Sequence, residues 1–195
     1  MIVGRPLEFD PDVALEAAMN LFWHKGYESS SLQDLLAATG LSRSSFYQTF
    51  KSKHTLFQRC LQHYQKMLTD EMMAQFDDAA TGKVFIETFF YSVAKETSGP
   101  GARRGCLIMN TASEFAQNDP NIADLIGNSI DKITDLFELA IRQAQQQGDV
   151  AIGKDARTLA FYLVSSMSGL KNMVKAGADR ETIRRIADIA LSTIN

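Results

Sequence analysis

The segment SLQDLLAATGLSRSSFYQTFKSK, positions 31–53, constrains the fold of this chain more than any other. Ser31 stands three residues before Asp34, the spacing of a reciprocal capping box at a helix start. Leu32, Leu35, Leu36 and Ala38 follow as the apolar residues of a short helix, and Gly40 breaks it. Leu41 is an apolar plug, Ser42 a cap for the next helix, and Phe46 and Phe50 share one face of that helix. Arg43, Ser44, Ser45, Tyr47 and Gln48 fall on its other faces. Two short helices meeting across a tight glycine turn form a helix-turn-helix, whose second helix suits the major groove of DNA.

The surrounding chain extends the helical pattern. Asp10-Pro11 starts a first helix, with Val13, Ala14, Ala17, Ala18, Leu21 and Phe22 as its expected apolar face, and Gly26 ends it. No later stretch alternates with period two for long enough to suggest a sheet. The expected fold is all-α, with a three-helix DNA-binding domain and its N-terminal arm at 1–55 and a larger helical domain at 56–195.

Charge agrees with that division. The 195 residues carry a net charge of −3, yet residues 1–66 hold seven Lys/Arg against six Asp/Glu, and 67–195 hold thirteen against seventeen. Arg43, Lys51, Lys53, Arg59 and Lys66 lie in a segment, Leu35 to Thr69, that contains no acid at all. A local basic face on an acidic chain suits a phosphate backbone. Arg43 can donate two bonds to guanine, Gln48 can serve adenine, Ser44 and Ser45 can bond bases or phosphates, and Ser31 and Ser42 at the two helix starts are expected DNA contacts as well. Tyr47, Lys51 and Lys53 position rather than specify, Lys53 acting with free backbone N–H groups at the start of the following helix. Arg5, between Gly4 and Pro6, suits an extended arm in a narrow minor groove.

These residues carry a resemblance. Ala17-Ala18, Leu21-Phe22, Gly26-Tyr27, Ser30-Ser31, Thr39-Gly40-Leu41-Ser42, Phe46-Tyr47-Gln48-Thr49-Phe50 and Ser52-Lys53 resemble, in order, the DNA-binding domain of TetR/AcrR-type transcriptional regulators over residues 9–60. Ser44-Ser45 stands where that family usually has Gly-Thr, and the frequent His two before the last Phe is absent from YQTF, so base-reading details do not transfer. The resemblance implies phosphate contacts for Tyr47 and Lys53. It also implies a C-terminal domain for ligand binding and dimerisation, and a palindromic double-stranded operator read by a homodimer.

The last two thirds are less specific. Most of the many Met and Phe residues there are expected in the core, with Phe89, Met109 and Phe137 as candidates to line a pocket for a small-molecule inducer. DARTLAFYLVSSMSGLKNMVKAG at 155–177 mixes small and large apolar residues. DRETIRRIADIALSTI carries Ile183, Ile186, Ala187, Ala190, Leu191 and Ile194 as one stripe. Together they are the expected dimer face. Cys106 follows Arg103 and Arg104 near a helix start, where cations and the helix dipole favour a thiolate, so it is a candidate sensor of electrophiles or oxidants. Cys60 is expected to be inert core.

An enzyme is not expected. The three histidines form no HExxH, and the chain lacks a phosphate-binding GxxxxGK[ST] loop, a dinucleotide fingerprint and a calcium loop, so neither cofactor nor metal is expected. MIVGRPLEFD has no apolar core of signal-peptide length, which leads to a cytoplasmic location without membrane contact. The expected function is a one-component transcriptional regulator, a repressor released from DNA by an inducer; a ligand-independent DNA-binding protein is the rival.

Overall fold

A computed structural model describes residues 10–99, 101–115 and 119–195. Among them, α1 (Pro11–Lys25), α2 (Leu32–Thr39), α3 (Arg43–Phe50), α4 (Lys53–Asp78) and α5 (Gly82–Val93) are followed by a 3-10 turn at Ala94–Thr97. Then come α6 (Leu107–Phe115), α7 (Pro120–Gln147), α8 (Ala156–Lys175), α9 (Arg180–Leu191) and a last 3-10 turn at Ser192–Ile194. No strand occurs among the described residues.

Side-chain caps set most of the helix starts. Asp10, Ser31, Ser42, Thr81, Asp119, Asp155 and Asp179 each accept a backbone N–H from the first turn of the helix they precede. Each such bond satisfies a donor that no intrahelical carbonyl reaches.

The chain separates into two compact units that meet in sequence at Tyr64 and Gln65. This falls later than the expected boundary at 55–56, because the first turns of α4 complete the core of the first unit. Leu56, Phe57, Cys60, Leu61 and Tyr64 are all buried there. Phe57 packs edge-on to Phe22 at 5.0 Å and against Tyr27 at 4.8 Å, while Tyr64 packs against Trp23 at 5.0 Å. On α1 the buried stripe runs through Ala14, Ala18, Met19 and Phe22. Val13, expected on it, is 64% exposed, one step round the helix from Ala14.

The second unit is built on aromatic rings. Phe137 of α7 is enclosed by Phe85, Phe89 and Phe90 of α5 at centroid distances of 6.0, 5.7 and 6.3 Å. Leu163, Leu170 and Val174 of α8 and Ile183 and Ala187 of α9 close this core. Gly82 marks a close approach: a Cβ there would overlap the carbonyl of Ala140 in α7. The Lys154 ammonium fastens the chain end by donating to the carbonyls of Thr193 and Asn195, both at 2.7 Å.

Candidate nucleic-acid interface

The geometry at α2 and α3 follows from their caps. Ser31 Oγ accepts the Asp34 N–H at 3.1 Å, and the Asp34 carboxylate accepts the Ser31 N–H at 2.8 Å, closing the capping box. The Lys25 ammonium reaches the same carboxylate at 2.6 Å. Lys25 first, then Ser31, holds the Asp34 carboxyl well below the usual carboxylate range. The Ser31 hydroxyl also donates to Asp34, so this residue is committed to the cap.

Gly40 turns the chain at φ 69°, in the left-handed region, and Leu41 is buried directly after it. Ser42 Oγ accepts the Ser45 N–H at 3.1 Å and lies 2.9 Å from the hydroxyls of both Ser44 and Ser45. Phe46 and Phe50 are fully buried, which anchors α3 and leaves Arg43, Ser44, Tyr47 and Gln48 exposed. Among the described residues Arg43 makes no ion pair. Its guanidinium therefore remains available to an acceptor outside the protein.

The end of α3 is held by cations. Lys51 takes φ 66°, unusual for a residue with a side chain; its N–H donates to the Tyr47 carbonyl and its ammonium to the Gln48 carbonyl, both at 3.1 Å. Arg59 of α4 donates to the Thr49 carbonyl at 3.2 Å and packs against the Phe50 ring. Ser52 caps α4 by accepting the Thr55 N–H at 3.0 Å. Lys53, the first residue of α4, holds its ammonium 4.2 Å from the centre of the Tyr27 ring. Phe22 and Phe57 pack against that ring in turn. Sequence reasoning used Tyr27 only as part of a matched pattern; its role as the platform under Lys53 depends on a contact between residues 26 apart. Arg5 lies outside the described residues.

In the second unit, Phe89 and Phe137 are packed into the aromatic core, at 8% and 0% exposure, and Met109 is half-buried against it. Cys106 immediately precedes α6 and is buried, its carbonyl accepting the Asn110 N–H at 2.9 Å. The Asn110 side chain joins the Arg104 carbonyl to the Lys175 ammonium at 2.9 and 3.1 Å. Neither cysteine is in a disulfide. Cys60 points its thiol at the Leu15 carbonyl, and burial pushes that thiol up.

The expected stripe on the last helix is divided by its own packing. Ile183, Ala187, Ala190, Leu191 and Ile194 turn into the core of the second unit. The large apolar residues left facing outward are Phe161, Tyr162 and Met173 on α8 and Ile186 and Ile189 on α9. Among the described residues no group of His, Cys, Asp or Glu could hold a metal ion, and no helix is long and apolar enough to cross a membrane.

Comparison with known proteins gives a consistent result. Residues 14–60 match the family described as bacterial regulatory proteins, tetR family, and residues 85–190 match the tetracyclin repressor-like C-terminal domain. An uncharacterised HTH-type transcriptional regulator of Bacillus subtilis, YezE, is 29% identical over 99% of this chain and 100% of its own. The HTH-type transcriptional repressor ComR of Escherichia coli is 29% identical over 96% of this chain and 90% of its own. Among solved structures, a cysteine mutant of the TetR family transcriptional regulator CifR, complexed with 26-bp double-strand operator DNA, superposes with a TM-score of 0.85. It is 27% identical and covers 98% of this chain and 100% of that one.

Proposed function

Because the chain belongs to the tetR family of bacterial regulatory proteins, and is a DNA-binding transcriptional regulator rather than an enzyme, we propose that it is a homodimeric repressor of a palindromic operator, released by a small-molecule inducer. The observation that carries this reading is the outer face of α3, where Arg43, Ser44, Tyr47 and Gln48 are exposed while Phe46 and Phe50 anchor the helix. Arg43 and Gln48 read bases; Ser44 and Ser45 approach the groove wall. Tyr47, Lys51 and Lys53 bind phosphates, with Ser31 and Ser42 shaping the helix starts and Arg5 entering the adjacent minor groove.

Dimerisation is supported by the outward apolar residues of α8 and α9. Two-fold symmetry then sets the two copies of α3 about 34–36 Å apart, one turn of DNA. An inducer that binds the second unit better when that spacing is wrong weakens operator binding by the same coupling free energy, typically about 1–3 kcal/mol. A second reading, with Cys106 as the sensor, is supported by its place before α6 and by the Lys175 ammonium held on the side chain of Asn110, one turn further on. It requires an opening motion, since Cys106 is only 7% exposed.

Fluorescence anisotropy on labelled DNA from upstream of the protein's own gene, with scrambled DNA as control, tests the reading. Lys53→Ala and Tyr47→Phe are expected to weaken binding to all sequences alike, while Arg43→Ala costs about 1–3 kcal/mol and relaxes base preference. Equal affinity of the wild type for both DNAs would refute the repressor. Treating wild type and Cys106→Ser with a thiol-reactive electrophile separates the two kinds of release.

A further inference from the structure

We propose that a groove between the second half of α4 and the middle of α7 binds a small anionic amphiphile, an aliphatic or aryl carboxylate whose head group meets Lys132. The groove has a volume of about 290 Å³ and is lined from α4 by Thr69, Met72 and Met73. From α7 it is lined by Lys132, Ile133, Asp135, Leu136 and Leu139. The proposal rests on the reading that the second unit senses a small molecule, and it places that molecule outside the aromatic core. Phe85, Phe89, Phe90 and Phe137 pack against one another in that core at centroid distances of 5.7 to 6.3 Å, and none of them lines the groove.

The apolar part of the argument is a matter of exposure. Met72, Ile133 and Leu136 are buried and make a floor. Met73 and Leu139 stand over it from opposite helices, 45% and 47% exposed. Two large apolar side chains facing each other across an open groove leave surface that an alkyl or aryl tail would remove from water. Thioether side chains adapt to the shape of such a tail.

The head group follows from the charges on the rim. Asp135 is already paired with the Arg157 guanidinium, which also reaches Glu138 at 3.1 Å. The Thr69 hydroxyl is spent as a donor on the carbonyls of Gln65 and Lys66. Lys132 makes no ion pair among the described residues. The rim therefore offers one uncompensated cation and no uncompensated anion, which selects a carboxylate over an amine or an alcohol. The occupant would touch a helix whose earlier turns, Leu56 to Tyr64, form part of the DNA-binding unit.

The test uses the full chain labelled with ¹³C at its methionine methyls, titrated with decanoate, decylamine and decanol, with Met73 assigned through Met73→Leu. Decanoate is expected to move the Met73 resonance saturably and more tightly than decylamine or decanol. Leu139→Glu should abolish that shift with the melting temperature retained, and Lys132→Glu should weaken decanoate about fivefold while favouring decylamine. Equal binding of the three head groups, no saturable shift, or shifts confined to core methyls such as those of Met109 and Met167 would overturn the site. Operator anisotropy on the same samples separates this from the repressor reading. Decanoate that moves Met73 without loosening DNA supports the groove and removes its inducer role. An inducer that releases DNA with Met73 unmoved overturns the groove and leaves the repressor intact.

Discussion

The two units bury similar aromatic cores and differ in what they leave outside. The first shows water a set of hydroxyls and cations fixed by local bonds: the Ser31 and Ser42 caps, Lys51 on its own helix end, Lys53 on Tyr27. The second shows water apolar side chains, Phe161 on α8, Ile186 and Ile189 on α9, and Met73 and Leu139 along the groove between α4 and α7. Recognition of a charged polymer needs donors held in place, whereas recognition of a second copy or an apolar ligand needs surface whose exposure costs free energy. The contrast predicts that mutations on the first unit change how tightly or which DNA is bound, and mutations on the second change what the protein assembles with or responds to.

The largest expected effect lies on the second unit. Phe161→Glu puts a carboxylate on the outward face of α8 and, on the proposal that α8 and α9 form a dimer face, should convert dimer to monomer in sedimentation velocity. With only one half-site engaged at a time, affinity for the full palindrome should fall by about 10²-fold or more, while affinity for a half-site duplex stays level. A Phe161→Glu protein that remains dimeric would remove α8 from the interface and break the contrast at its most exposed point.

Next come the cores. Phe46→Ala and Phe137→Ala each delete a ring with no exposed surface and should each cost about 3–5 kcal/mol in denaturant melts. Equal costs would show that the units differ in surface rather than in packing. A cost below about 1 kcal/mol for Phe46 would mean that α3 is held by its caps alone.

Glycines sharpen the same comparison and show what could be read from the chain. Gly40 was legible because a helix stop, an apolar plug and a new cap surround it within three residues, and its φ of 69° is what that turn requires. Gly82 carried no such signal. It matters because α7, far along the chain, brings the Ala140 carbonyl to where a Cβ would stand. Gly82→Ala is therefore expected to cost about 1–3 kcal/mol through displaced backbone, and Gly40→Ala about 1–2 kcal/mol through φ alone. The rule is general for this protein. The caps, the Phe46/Phe50 anchor and the exposed face of α3 depend on residues a few positions apart, so they were readable. The burial of Ile183 and Ala187, the exposure of Val13, the Tyr27 platform and the late boundary at Tyr64 depend on which helices meet, and pattern alone does not contain that.

The smallest effect concerns acid. Asp34 is held below the usual aspartate value of 3.8, chiefly by Lys25 and then by Ser31, whereas Asp155 and Asp179 are lowered chiefly by bonds to Thr158 and Thr182 at their own helix starts. A carboxyl depressed in the folded state contributes its full stabilisation above the unfolded value, and loses it as pH falls through that value toward the folded one. Melting temperature should therefore be flat near neutral pH and decline below about pH 4, where the unfolded chain takes up the proton first. Asp34→Asn should lower the neutral-pH melting temperature slightly and flatten part of the acid decline. Added salt should reproduce some of that loss for Asp34, since the Lys25 ammonium is exposed to screening, and less for Asp155, which is lowered chiefly by its bonds to Thr158 and only last by the charge of Arg142. If Asp34→Asn and wild type decline in parallel from pH 5 to pH 2, the Lys25–Asp34 bond is not what secures the entry to α2, and the first unit depends on its serine caps alone.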